Sequence, residues 1–300
     1  MRILPILLPG LLVVLVAPAA RAAESPRKLA FERAPAVWVA SLDGTGAQKI
    51  AAGADPVLSP DGTKLAYTTD EPSKKLPVRH IAVADLASGK TTVFKDVPSD
   101  NSFGPAWSPD GTQLAFQIFT ADDWQLGLIN ADGSGFRIVK HTEPKGRTCN
   151  GAAWAPDGKS LFCQDMTAIL RIGLDGSEQN RWELKKLVAD GDMNSGSRLS
   201  ISPDGKTLLM DIDQAEEHDR KNWDGPQPAI WSFDLAADKA VRLSPKPLFA
   251  WEPRWLGDGE MVFIVQGASE KEPSIYRASI QDLEHRKLLV KGARAPSVSR

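Results

Sequence analysis

Short apolar runs recur along this chain, and they come in pairs separated by one kind of turn. Ala106-Trp107 leads through Ser108-Pro109-Asp110-Gly111 into Leu114-Ala115-Phe116. Proline presets φ at the first turn position, and Asp-Gly supplies the bend and the positive φ that close a hairpin. The same sentence is repeated from Val57-Leu58 through Ser59-Pro60-Asp61-Gly62 to Tyr67, and from Ala153-Trp154 through Ala155-Pro156-Asp157-Gly158 to Cys163. It returns from Ile201 through Ser202-Pro203-Asp204-Gly205 to Met210, and in worn form from Trp255 through Leu256-Gly257-Asp258-Gly259 to Ile264. The equivalent turn positions are 60, 109, 156, 203 and 257, at intervals of 49, 47, 47 and 54.

The runs after the turns are apolar on both sides, as in Leu114, Phe116 and Ile118 against Ala115, or Met261-Val262-Phe263-Ile264-Val265. Such runs fit strands buried between two layers. The last run of each unit is mixed, as in Phe136-Arg137-Ile138-Val139-Lys140 or Arg286-Lys287-Leu288-Leu289-Val290-Lys291. Charges there suit an outer edge, where they discourage edge-to-edge pairing. Four strands in a repeat of this period are the signature of a β-propeller.

Residues 23–300 hold close to six such units. Ala295-Pro296-Ser297-Val298 matches the innermost strand and stops where the turn should begin, whereas Ser25-Pro26 and Lys28-Leu29-Ala30-Phe31 match the turn and the second strand. The expected fold is therefore all-β: a six-bladed propeller of four-stranded antiparallel blades, closed by the C-terminal strand joining the N-terminal blade. Residues 36–41 and 48–51 complete that composite blade. One charged insertion, residues 214–227, accounts for most of the 54-residue interval.

The first 22 residues stand apart. Arg2, an apolar run from Ile3 to Val16 and the small-residue site Ala20-Arg21-Ala22 read as a cleaved signal peptide, which places residues 23–300 in the periplasm or outside the cell. The apolar run is too short and too interrupted by Pro5, Pro9 and Gly10 for a membrane span, so no integral membrane segment is expected after cleavage. A net charge of -2 and a pI near 6.1 argue against a nucleic-acid partner, which selects a basic stripe. Cys149 and Cys163 fall nearly opposite each other across the Pro156-Asp157-Gly158 turn. In an oxidising compartment the pair reads as a disulfide or as two independent buried thiols.

Trp107-Ser108-Pro109-Asp110-Gly111 followed by Leu114-Ala115-Phe116 resembles the WD40-like Pro-Asp repeat of the TolB-type propellers, and the likeness extends over roughly residues 25–300. The resemblance implies a six-bladed propeller in the periplasm that works by protein contact, and it implies no catalytic residues. The archetype of that family carries an additional N-terminal α/β domain, whereas this chain passes from its leader directly into a propeller strand.

Topology divides the candidate chemistry between two faces. The Ser-Pro-Asp-Gly turns crowd one end of the blades; the long, variable connections, residues 214–227 among them, crowd the other, where binding usually sits. Residues just before each innermost strand approach the axis: Asp55, Gly104, Asn150 or Gly151, Arg198, Glu252 and Ala295. Arg198 and Glu252 either line the channel mouth or pair between neighbouring blades. Asp61, Asp110, Asp157, Asp204 and Asp258 occupy a position that the turn itself demands, so they are read as structural.

Glu216-Glu217-His218-Asp219 matches no metal-ligand spacing, so His218 is assigned to partner contact, and no metal and no cofactor are expected. Trp223 and Trp251 are taken as aromatic anchors for a partner, and Trp107, Trp154 and Trp255 as packing between blades. No Gly-x-Ser-x-Gly elbow occurs, and His80, His141 and His285 fall in separate blades. The expected function is that of an exported, non-enzymatic binding or scaffold module for envelope proteins, acting through the loop-rich face. The competing expectations are a lyase or hydrolase acting on a saccharide or lactone at the channel mouth, and a sensor of a small ligand or glycan.

Overall fold

The computed structural model describes residues 26–73, 77–120, 123–139, 148–215, 225–257 and 259–300. The expected leader, His218 and Trp223 lie outside the described residues.

Six antiparallel sheets make up the ring, five of them built from consecutive stretches of chain and each ordered from the axis outward. Blade two runs Ala54–Leu58, Lys64–Thr68, Ile81–Asp85 and Thr91–Val93. Blade three runs Ser102–Trp107, Gln113–Thr120, Asp123–Asn130 and Arg137–Val139, and blade four Asn150–Trp154, Ser160–Gln164, Ala168–Gly173 and Glu178–Glu183. In blade five, Leu199–Ile201 precedes Thr207–Gln214, Gln227–Asp234 and Lys239–Arg242; blade six takes Ala250–Gly257, Glu260–Val265, Ser274–Ser279 and Asp282–Val290. Blade one is composite. Arg294–Val298 pairs with Lys28–Arg33, which leads to Ala36–Ser41 and Gln48–Ala52. Ser297 stands opposite Ala30 and Val298 opposite Leu29, so the last strand closes the ring.

Six clusters of buried side chains fill six gaps, one between each pair of neighbouring blades. Phe116 and Ile118 of blade three meet Ala66, Ile81 and Val83 of blade two. Met210 and Ile212 of blade five meet Phe162 and Ile169 of blade four, and Leu29 and Phe31 of blade one meet Val262 and Ile275 of blade six. This is why the second strand of each blade is apolar on both sides: each face belongs to a different gap. Each fully buried Phe or Leu in these gaps contributes about 1.5–3 kcal/mol.

No sheet joins neighbouring inner strands, so single hydrogen bonds connect them. Trp107 Nε1 donates to the Val57 carbonyl at 3.0 Å, and one repeat later Trp154 Nε1 donates to the Ala106 carbonyl at 3.0 Å. Where the preceding blade offers a serine, the groups change and the direction does not: the Leu58 and Trp255 amides donate to Ser297 Oγ and Ser200 Oγ, both at 3.0 Å.

The turns hold themselves. Ser108 Oγ donates to Asp110 Oδ1 at 2.6 Å, the Thr112 amide donates to the same oxygen at 3.0 Å, and the Gln113 amide donates back to Ser108 Oγ at 2.9 Å. Asp61 and Asp204 sit in the same arrangement. In the fourth blade the structure joins Cys149 to Cys163 by a disulfide, with Cα atoms 5.2 Å apart.

Two features go beyond the sequence reading. A short helix, Leu184–Leu187, follows the outer strand of blade four, and Gly191–Asp192 pairs with Asp213 and Gln214 to give blade five a fifth strand. Neither carries the period-two pattern by which the other strands were legible.

Candidate functional site

The inner strands do not run straight to the axis. Register slips between Ala54 and Val57, Phe103 and Ala106, Asn150 and Ala153, and Trp251 and Arg254. Within each slip one residue takes a positive φ: Asp55 at 50°, Gly104 at 65°, Gly151 at 63° and Glu252 at 48°. Ala295 joins them at 50° in the closing strand. Such bulges re-aim a side chain, and a non-glycine residue held at positive φ stores strain that commonly accompanies function.

A second ring of residues supports the bulges. The fifth residue of each second strand is polar and buried in five blades: Glu32, Thr68, Gln117, Gln164 and Asp211. Each bonds the bulge region of the following blade. Glu32 Oε2 accepts from the Asp55 amide at 3.4 Å, Thr68 Oγ1 from the Gly104 amide at 3.1 Å, and Asp211 Oδ1 from the Glu252 amide at 3.3 Å. Gln117 donates to the Cys149 carbonyl, and Gln164 Nε2 to the Ser197 carbonyl at 3.4 Å. A polar residue at the fifth place of an otherwise apolar run was the sequence signal for this ring.

Charge concentrates where the bulges meet. Arg198 Nη2 lies 3.3 Å from Asp55 Oδ1, linking blade five to the opposite blade two. Gly104 leaves room for this crossing, since a Cβ there would stand 3.2 Å from Arg198 Nη1. Asp211 accepts from the Arg198 amide at 3.4 Å and from the Ser197 hydroxyl, but burial dominates and raises its carboxyl above the usual range. Glu252 borders the cavity on one side and is otherwise enclosed by protein. Burial pushes its carboxyl up to about 7, against the opposing pull of Arg254 and Arg198. Burial likewise lowers the Arg254 guanidinium, which donates to the Pro253 carbonyl at 3.1 Å.

These groups bound a cavity of about 770 Å³ whose wall takes residues from all the inner strands. Its lining begins at Asp55, Arg198 and Glu252 and ends at Pro60, Pro203, Asp204 and Gly257. The cavity therefore lies on the turn side of the Arg198–Asp55 crossing. Arg198 and Glu252 were expected at a mouth on the loop-rich face or in an ion pair with each other. They form the cavity floor instead, and the partner of Arg198 is Asp55.

The other candidates are dispersed. Asn150 is buried, with Nδ2 donating to Thr148 Oγ1 at 2.9 Å, and it does not line the cavity. Trp251 is half-buried opposite Ile264 and lies outside the lining as well. Hydrogen bonds from Ser108 and Ser202 hold the Asp110 and Asp204 carboxyls below the usual range, as turn residues. His80 is buried with Nε2 3.7 Å from Asp100, and His285 Nδ1 is 2.7 Å from Asp282 in another blade. Among the described residues no group of three or more His, Cys, Asp or Glu is arranged to hold a metal ion.

The loop-rich end carries a cluster that the sequence did not single out. Trp124 meets Phe103 edge-on at 5.0 Å between centroids and Phe119 at 5.2 Å. Arg79 of blade two lies over Phe103 at 4.5 Å and over Trp124 at 5.8 Å. Its guanidinium is fixed by Asn101 Oδ1, which accepts from Nε at 3.0 Å and from Nη2 at 2.7 Å. All three rings are half-buried, so one flank of each remains accessible.

Comparison with known proteins bears on these features. The family model described as the TolB beta propeller domain matches residues 28–222. The Tol-Pal system protein TolB of Gluconobacter oxydans is 39% identical over 61 residues, which is 20% of this chain and 13% of the relative. The chain thus matches a small part of that relative's length. The crystal structure of TolB from Acinetobacter baumannii superposes with a TM-score of 0.67 at 18% identity, covering 92% of this chain and 67% of the other. An oligogalacturonate lyase from Vibrio parahaemolyticus superposes with a TM-score of 0.52 at 18% identity, covering 81% and 72%. At these identities the superpositions show the shared fold alone.

Proposed function

Because the chain belongs to the TolB beta propeller domain family, we propose that it is an exported propeller that binds an envelope protein through its loop-rich face and performs no chemistry of its own. The observation that carries this reading is the Arg79–Phe103–Phe119–Trp124 cluster. Aromatic residues and arginine dominate binding hot spots because they combine large contact area with few rotatable bonds. Here the arginine is already oriented by Asn101, so little conformational freedom is lost on docking.

Other features support the setting. The signal-like first 22 residues point to export, and the Cys149–Cys163 bridge suits an oxidising compartment. Relatives named as Tol-Pal system proteins favour an envelope partner over a free metabolite as the loop-face ligand.

Co-purification from crosslinked envelopes tests the reading. Trp124→Ser is expected to abolish recovery of the partner, whereas Val241→Ser, on an exposed outer strand, retains it. Equal recovery with both variants would contradict the assignment.

A further inference from the structure

The axial cavity is a second site, separate from the loop face in position and in chemistry. Its volume, about 770 Å³, falls in the range that encloses small organic ligands. Position by position, the inner strands present small side chains to it: Val57, Ala106, Ala153, Ser200 and Ser297. Blade six breaks this rule with Arg254.

Arg254 is half-buried in the cavity wall; Glu252, Asp211 and Asp55 attract it, but it has no salt bridge to a carboxylate of the described residues, and its hydrogen bond goes to the neighbouring Pro253 carbonyl. Asp55 is already engaged by Arg198 and by Thr68 Oγ1 at 3.2 Å. Asp211 spends one oxygen on the backbone amides of Arg198 and Glu252. A guanidinium that borders a cavity and makes no direct salt bridge with the carboxylates around it leaves its planar fork open to an incoming carboxylate.

The surroundings limit that anion to one negative charge. Glu252 on the same strand, Arg198 of blade five and Asp55 of blade two line the cavity beside it, and the Asp211 carboxyl of blade five acts on both Glu252 and Arg254 from behind the lining. A dianion would meet Asp55 and Glu252 at close quarters, whereas a single carboxylate is matched by the Arg254 fork alone. Between the charged floor and the turn end, where Arg27, Asp204 and Arg300 also line the cavity, the wall carries apolar surface from Trp107, Trp154 and Trp255.

We propose that the axial cavity binds a small organic monocarboxylate, with its carboxylate on Arg254 and an apolar body between the inner strands, entering from the side of the Ser-Pro-Asp-Gly turns. The ligand does not depend on the loop-face partner.

Calorimetric titration of the exported protein with benzoate, and with benzamide as its neutral isostere, tests this directly. Benzoate is expected to bind within about 10 mM, as suits a one-ring fragment, and benzamide at least about tenfold more weakly. Arg254→Gln should weaken benzoate by about tenfold or more and Arg254→Lys by less, because lysine restores the charge without the fork. Trp124→Ser should leave benzoate binding unchanged, which separates this site from the loop face. Absence of benzoate binding, equal binding of benzamide, or retention of benzoate binding by Arg254→Gln would overturn the proposal. The comparison of benzoate with benzamide uses the unaltered protein, so it decides the matter even if Arg254→Gln does not fold.

Discussion

Arg198 and Asp55 are 143 positions apart in sequence, yet Arg198 Nη2 lies 3.3 Å from Asp55 Oδ1. They belong to opposite blades, so their contact crosses the propeller axis where the bulges converge. Nearly every other polar link between blades joins neighbours. This one ties the ring across its diameter and forms the floor of the cavity.

Removing one partner should therefore cost more than a surface pair does. Arg198→Met is expected to lower stability by about 2–3 kcal/mol, since it leaves Asp55 without its cation beside Glu252 and Asp211. Asp55→Asn should cost less, because Asn keeps a hydrogen-bonding oxygen. Urea unfolding of both single variants and the double variant would give a coupling energy of about 1 kcal/mol or more; additive losses would show that the pair does not act as a unit.

Gly104 is asked to do two things, to adopt φ 65° and to leave space for Arg198. Gly89 has a similar φ of 72° but open space around its missing Cβ. Gly89→Ala should cost about 1 kcal/mol from backbone strain alone, and Gly104→Ala measurably more. Equal losses in thermal melts would mean that Arg198 yields to the added methyl without penalty.

Two tryptophans at the same strand position make a matched test of the links between blades. Trp107 Nε1 donates to Val57, whereas Trp255 Nε1 is buried without a hydrogen-bond partner among the described residues. Trp107→Phe should cost about 1 kcal/mol beyond the packing loss common to both, and Trp255→Phe less, because it removes an unsatisfied donor. The reverse order in urea midpoints would contradict this account of the inner strands.

Glu252 makes stability pH-dependent with a definite sign. Its carboxyl is raised from 4.5 to about 7 by burial, so between those values the folded chain holds a proton that the unfolded chain has released. Stability from this group is therefore lost as pH rises through that window, and Asp211, also raised by burial, acts in the same direction. The urea midpoint should be higher near pH 5 than near pH 8, and Glu252→Gln should shrink the difference. An unchanged difference in the variant would remove Glu252 from the explanation.

Much of the ring was legible because its turn chemistry is local. Pro109-Asp110-Gly111 and its repeats mark the blades wherever they occur, and the strand fragments at the two ends show how the first blade closes. The positions nearest the axis were legible for the same reason: Asp55, Gly104, Gly151, Arg198, Glu252 and Ala295 hold one place in the repeat. Their partnerships were not. Whether Arg198 reaches Glu252 next door or Asp55 across the axis depends on the channel width and on the missing Cβ of Gly104, and no period encodes either. The Arg79–Phe103–Trp124 cluster escaped notice because its members come from two blades and three connections. Arg254 was visible as a departure from small residues at one repeat position, but the strand pattern gave it no significance until the cavity placed it.

The most direct test of the central claim, that the loop-rich face docks an envelope protein, is photo-crosslinking in living cells. A photoreactive residue at position 124 is expected to yield one discrete adduct with an envelope protein, and the same residue at position 241 on the outer strand none. Adducts of equal yield from both positions, or none from position 124 in protein shown to be exported, would contradict it.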